Sequence, residues 1–253
     1  MSQSLLKAIE LLDYFDEKSE LTLLDLVELS EMPKTTVFRL VSALETAGLL
    51  VKIKYSTHDV KYKLGLKLLE LGQRVRDQMV YRDIALPHMR ELNLKLNESV
   101  HLAVVEGDRA VYVEKFDSNK RIRLVIKIGD RAPLYAGSAS KVLLANQDKQ
   151  KRESFLENVN LKKITKNTID NKELLRKELE KIREKGYGVS KEELYEGTIG
   201  FSCPVKDNSG ETIAALGVSL PVTEYSEEKG KQIIEETMQT AKEISYELGY
   251  KGN

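Results

Sequence analysis

The chain has 253 residues, 41% of them hydrophobic, which is enough for one or two domains with real cores; two are expected. Forty Lys and Arg offset forty Asp and Glu, so any nucleic-acid contact must come from local charge asymmetry rather than from overall charge. The single cysteine, Cys203, excludes an intramolecular disulfide, and with no leader-like N-terminus and no apolar run near membrane-span length the expectation is a cytoplasmic protein with no membrane partner.

From Ser4 to Phe15, Leu5, Leu6, Ile9, Leu12 and Phe15 form one helical stripe, expected to pack under the elements that follow. Thr22 and Asp25 then make a capping pattern ahead of Leu23, Leu26, Val27 and Ser30, so a helix is predicted over 22–30. Pro33 stops it and suits the entry of a second helix, whose apolar set is Val37, Leu40, Val41 and Leu44, with Gly48 ending it. This is a helix-turn-helix pattern. The other face of the second helix carries Lys34, Thr35, Thr36, Arg39 and Ser42, hydrogen-bond donors of the kind that meet phosphates and base edges in a major groove, together with one aromatic, Phe38. An ordinary surface helix is the bland alternative.

After Gly48 the period changes to two. Leu49, Val51 and Ile53 alternate with Leu50, Lys52 and Lys54, a turn follows at Ser56-Thr57-His58-Asp59, and Val60 to Leu64 returns, which predicts a β-hairpin. Its Lys52, Lys54, Tyr55, His58, Lys61 and Lys63 suit a wing that touches DNA backbone or a minor groove, or else a solvated edge that discourages sheet aggregation. Charge agrees with the first reading: Met1 to Glu31 has two Lys against eight acids, whereas Met32 to Lys67 has seven Lys and Arg against two.

Gly65 to Val75 restarts a helical stripe, with Leu66, Leu69 and Val75, and reads as a linker. A helix interrupted by Pro87 is expected over 81–97, then strands at 99–106, 110–116 and 121–128, a loop over 129–137 and a helix over 138–146. Charged helices at 149–159 and 171–185, strands at 199–206 and 212–220, and a closing helix over 226–248 complete an α+β arrangement of one sheet covered by helices.

Few residues in this second part suggest chemistry. Ser138 and Lys141 match S-x-x-K, so an acyl-transfer enzyme is one alternative, but the companion S-D-N and K-T-G motifs are absent. The small residues from Ala136 to Ser140 also describe a helix start whose free N–H groups would receive a carboxylate or phosphate, or simply close helix packing. Cys203 reads as a buried inert thiol, Gly186 and Gly188 as a helix stop and a turn, and Glu192, Glu193 and Glu196 as solvated loop charges. His58, His88 and His101 are scattered; no metal and no cofactor are expected.

Four stretches together resemble the IclR family of bacterial transcription regulators over nearly the whole chain: SLLKAIELLDYF, MPKTTVFRLVSALETAGLL, GDRAPLYAGSASK from Gly129 to Lys141, and GYGVSKEELYEGTIGFSCPVKD from Gly186 to Asp207. The resemblance implies a winged helix-turn-helix at 1–64, a linker helix at 65–80, and a GAF-like effector domain with a central sheet at 81–253. It further implies a ligand-responsive regulator, expected to be a repressor, working as a homodimer or dimer of dimers on double-stranded operator DNA with a small organic-acid effector. By the same resemblance Leu124, Ser138, Ala139, Ser190, Thr198, Gly200, Gly217 and Ser219 line the effector pocket. This chain has Ser190 where relatives that bind small keto acids commonly carry an acid, and Gly200 and Gly217 where they carry Cys or Ser. The missing side chains lead to the expectation of a ligand bulkier than glyoxylate or pyruvate, its acid held at Ser138, Ala139 and Ser219; the bland alternative is that both glycines only permit close strand packing. A protein-interaction module is the remaining rival.

Overall fold

The computed structural model describes residues 2–16, 18–56 and 59–252, and divides into two compact units, Met1–Met79 and Val80–Asn253. In the first unit, helix α1 spans Gln3–Asp13 and strand β1 covers Leu21–Thr22. Helix α2 follows at Leu23–Ser30, α3 at Lys34–Thr46, strands β2 and β3 at Leu50–Lys54 and Val60–Leu64, and α4 at Leu66–Arg76.

The capping pattern forms as expected: Thr22 Oγ1 accepts from the Asp25 backbone N–H at 3.1 Å, and the Asp25 carboxylate accepts from the Thr22 N–H at 2.7 Å. Glu31 takes a left-handed conformation to end α2, and α3 follows Pro33 directly. Val37, Leu40, Val41 and Leu44 turn inward onto Leu11, Phe15, Leu21, Leu26, Leu50 and Tyr62.

Two expectations need correction. The inward face of α1 is Ala8 and Leu11, continued by Phe15, while Leu5, Leu6 and Ile9 are exposed, so the helix is rotated from the stripe the leucines suggest. In the hairpin Leu50 is buried and Val51 exposed, because β2 begins in the opposite phase. β1 was not anticipated; it adds to the hairpin to give the order β1-β3-β2.

The second unit opens with α5 at Val80–Leu96, which continues through Pro87 without a break. Strands β4 (Ser99–Glu106), β5 (Arg109–Phe116) and β6 (Arg131–Pro133) precede helices α6 (Ser138–Asn146), α7 (Lys149–Asn158) and α8 (Lys172–Lys185). Strands β7 (Gly188–Lys191), β8 (Thr198–Lys206) and β9 (Thr212–Pro221) and helix α9 (Glu227–Glu247) complete it. All six strands form one antiparallel sheet, β6-β5-β4-β9-β8-β7.

Residues 121–128, expected to be a strand, are not one: they run beside the sheet tied by single bonds, such as Ser99 Oγ to the Leu124 carbonyl at 3.1 Å, and expose Ile122, Val125 and Ile128. The sheet position goes instead to β6, in the segment expected to be a loop. Gly188, expected in a turn, starts β7.

The two faces of the sheet differ in chemistry. Val100, Leu102, Leu216, Val218, Phe201 and Cys203 alternate with a second set on the same strands. That set forms two cross-strand rows: Ser99, Ser219, Gly200 and Ser190, then His101, Gly217, Ser202 and Gly188. These small and polar residues face α6, whose outer side packs against Leu175, Leu179 and Ile182 of α8. Among the described residues no helix is long and apolar enough to cross a membrane.

Candidate functional site

On α3, Lys34, Thr35, Phe38 and Arg39 are exposed and Thr36 and Ser42 are half-buried, so the polar face stands clear of the core that Val37 to Leu44 fill. No side chain caps the start of α3, which leaves its first N–H groups available as donors. Lys52 and Lys54 are exposed on β2 and, with Lys34 and Arg39, make no ion pair among the described residues.

Tyr55 and Lys61 are differently placed. The Tyr55 hydroxyl donates to Glu20 at 2.9 Å, which raises its pKa, and the Lys61 ammonium lies 3.7 Å from the same carboxylate and 5.2 Å from the Tyr55 ring. Both are thus engaged by Glu20, whereas Lys52 and Lys54 on β2 and Lys63 on β3 are exposed with no ion pair among the described residues. His58 lies outside the described residues.

In the second unit a cavity of about 30 Å³ sits between the start of α6 and the polar face of the sheet. Leu124, Ser138, Ser190, Thr198, Gly200 and Ser219 all line it. Ala139 and Gly217 do not: Ala139 is packed in the core, and Gly217 lies beneath another side chain. A Cβ at Gly217 would fall 2.2 Å from His101 Nε2 and 2.6 Å from Ser202 Oγ. The space that glycine leaves is therefore filled by residues from the two neighbouring strands, and the expectation of extra ligand room there is corrected.

Gly200 works in a similar way. A Cβ on it would stand 2.8 Å from Ser138 Oγ and 3.2 Å from Ser219 Oγ, so it lets the first turn of α6 settle onto the sheet. Ser138 Oγ then meets Ser202 Oγ at 2.8 Å. The α6 start has no side-chain cap.

Residues that sequence reasoning passed over complete the lining: His101, Tyr112, Gly137, Glu193, Leu194 and Tyr195. His101 is buried and packs edge-on against Tyr112, with ring centroids 5.2 Å apart; burial pushes its pKa down to about 4, so the ring is neutral near pH 7. Its signal was the cross-strand pairing with Gly217, which a linear sequence hides.

Glu193, expected to be solvated, is buried. Burial raises its pKa, against the pull of Lys141, whose Nζ donates to it at 2.6 Å, to Val189 O at 2.9 Å and to Glu178 at 3.1 Å. Lys141 is wholly buried and committed to these acceptors, while Ser138 is bonded to another serine, so the S-x-x-K pair has neither an available base nor an activated nucleophile. Burial likewise pushes the Cys203 thiol up to about 12, as an inert thiol requires.

The loop that bears Glu193 is bonded down at several points. Thr165 Oγ1 donates to Glu192 O at 2.5 Å, Thr168 Oγ1 donates to Glu193 O at 2.7 Å, and Glu192 itself is left-handed at φ 57°.

A polar helix in a helix-turn-helix, next to a basic hairpin, defines a DNA-binding regulator of the winged-helix type. Residues 4–53 match the model of the IclR helix-turn-helix domain and residues 73–246 that of the bacterial transcriptional regulator IclR C-terminal domain. The chain is 36% identical over 247 residues to the HTH-type transcriptional regulator KdgR of Escherichia coli K12, covering 98% of this chain and 93% of that protein. Its fold resembles the crystal structure of the Thermotoga maritima IclR, with TM-score 0.82 at 31% identity over 99% of this chain and 100% of that one. It also resembles an IclR homolog from Microbacterium hydrocarbonoxydans complexed with 4-hydroxybenzoate, with TM-score 0.80 at 25% identity over 97% and 99% of the two chains. The chain belongs to the IclR family of bacterial transcriptional regulators, and so is a regulator rather than an enzyme.

Proposed function

We propose that this regulator binds operator DNA sequence-specifically through α3 and its wing, represses by occupying that site, and is released or retained by a small organic acid bound between α6 and the sheet. The reading assigns residues 1–64 to DNA, 65–80 to a linker helix and 81–253 to the effector. The observation that carries it is the exposed donor face of α3 together with Lys52 and Lys54, which are exposed and make no ion pair among the described residues. The acid is supported by the uncapped start of α6 beside Ser138 and Ser219, and by the relative that holds 4-hydroxybenzoate. Selection of bound fragments from randomised duplex, followed by transcription in vitro from the selected site, tests the reading; it fails if no sequence is enriched.

Within it, Arg39 reads a base and the wing lysines bind phosphates. Arg39→Ala is expected to cost about 1 to 3 kcal/mol on the selected operator and to relax its preference, while Lys54→Ala weakens all DNA alike and lowers the salt slope by about one unit. Titrations at several salt concentrations on operator and scrambled duplex check both.

The same reading requires self-association, because one recognition helix spans only a half-site. Helix α4 buries no side chain, with Leu66 81% and Leu69 68% exposed, and Leu5 of α1 is 62% exposed. Exposed leucines in this number suit a surface covered by a second copy. Light scattering at micromolar concentration is expected to show a dimer or larger, and a monomer both with and without operator contradicts this.

A further inference from the structure

We propose that the cavity's ligand is a 2-hydroxy acid rather than a 2-oxo acid, and that Glu193 and His101 make this distinction. The inference rests on the reading above that an organic acid binds at the start of α6. Both residues line the cavity, His101 being 2% and Glu193 8% exposed. Within them, His101 Nδ1 and Glu193 Oε2 are buried with no hydrogen-bond partner among the described residues. Buried polar atoms are costly until something partners them, so these two describe the complementary group.

Glu193 is not free to turn away. Its other carboxylate oxygen is held by Lys141 at 2.6 Å and its backbone carbonyl by Thr168 at 2.7 Å. An ionised carboxylate only accepts hydrogen bonds, so Oε2 asks for a donor. No Lys or Arg lines the cavity, and its serine and threonine hydroxyls donate or accept as required. The specific demand therefore comes from the two unpartnered atoms.

With the acid on the first N–H groups of α6, the neighbouring carbon of the ligand falls beside Glu193, which lines the same cavity as Gly137 and Ser138 at that helix start. A hydroxyl there gives its hydrogen to Glu193, and its oxygen accepts from His101 in the Nδ1–H tautomer. An oxo group satisfies His101 alone and turns its lone pairs toward a carboxylate.

Calorimetry on the full chain tests this with three pairs that differ only at the second carbon: lactate with pyruvate, mandelate with phenylglyoxylate, and gluconate with 2-ketogluconate. Lactamide serves as the acid-free control. The hydroxy member of each pair that binds is expected to be at least about tenfold tighter, since a site built to bond a hydroxyl rejects the analogue that cannot donate. Glu193→Gln offers an amide donor in place of an acceptor and should bring that ratio close to one; His101→Phe should weaken the hydroxy acid while keeping the ring packing. Thermal melts verify that both variants fold.

A 2-oxo acid bound as tightly as its partner overturns the inference, as does an unchanged ratio in folded Glu193→Gln or no binding of any hydroxy acid. The acid reading is judged separately. If hydroxy and oxo acids bind equally and both exceed lactamide, that reading stands and this inference falls; if lactamide matches lactate, the acid reading falls and this inference, which rests on it, falls with it.

Discussion

Lys141→Met is expected to destabilise the second unit by about 3 to 5 kcal/mol, because it removes one partner from a buried charge cluster and leaves the others behind. Lys141 is 0% exposed and its ammonium joins α8 through Glu178, β7 through Val189 O, and the 192–197 loop through Glu193. Methionine matches the length of the stem and fills the space, so the loss is electrostatic rather than a cavity effect. Glu193→Gln added to Lys141→Met should restore part of the stability, since the buried carboxylate that lost its cation becomes neutral. Urea unfolding followed by tyrosine fluorescence measures both. A single variant as stable as the parent would show that the cluster contributes nothing net.

That cluster also marks where sequence reading stops. The capping box at Thr22 and Asp25, the Pro33 entry of α3, and the hairpin were legible because their partners lie within a few residues, and local hydrogen bonds determine them. The same is true of α6, whose limits follow from the Gly137 to Ala139 start and an apolar run. Residues 121–128 carry a strand pattern, yet a strand exists only where a neighbour has a free edge, and β6 occupies the edge of β5. Gly188 resembles a turn residue in isolation. Its real constraint is steric, since a Cβ there would lie 2.8 Å from Val142 Cγ2 of α6.

The site shows the same division. Ser138, Ser190, Gly200 and Ser219 were reached by resemblance, and the structure does gather them around one cavity. Glu193 was missed because its cation is Lys141, 52 residues earlier, and sequence displays a charge without showing its partner. His101 was missed for a related reason: its ring occupies the vacancy above Gly217, so the glycine and the histidine are one feature divided between two strands. A glycine read as absent donors is, in the fold, the place where a donor arrives from next door.

His101 should also leave a measurable mark on stability. Its folded pKa of about 4 lies below the ordinary 6.5, because burial penalises the imidazolium. Between these values the unfolded chain binds the proton and the folded chain does not, so stability rises with pH across the window. The contribution is complete above about pH 6.5 and is lost as pH falls toward 4, by about 3 kcal/mol for a shift of this size. Glu193 runs the opposite way: its raised folded pKa favours the protonated folded state, so its contribution is present at low pH and fades as pH rises. Comparing the parent with His101→Phe cancels Glu193 and every other group they share. The difference in unfolding free energy between them should be flat above about pH 6.5 and shift toward the variant by about 3 kcal/mol near pH 4. Denaturant titrations at closely spaced pH values check this, and a difference that stays constant from pH 7 to 4 would mean that the ring is protonated in the folded protein with no penalty.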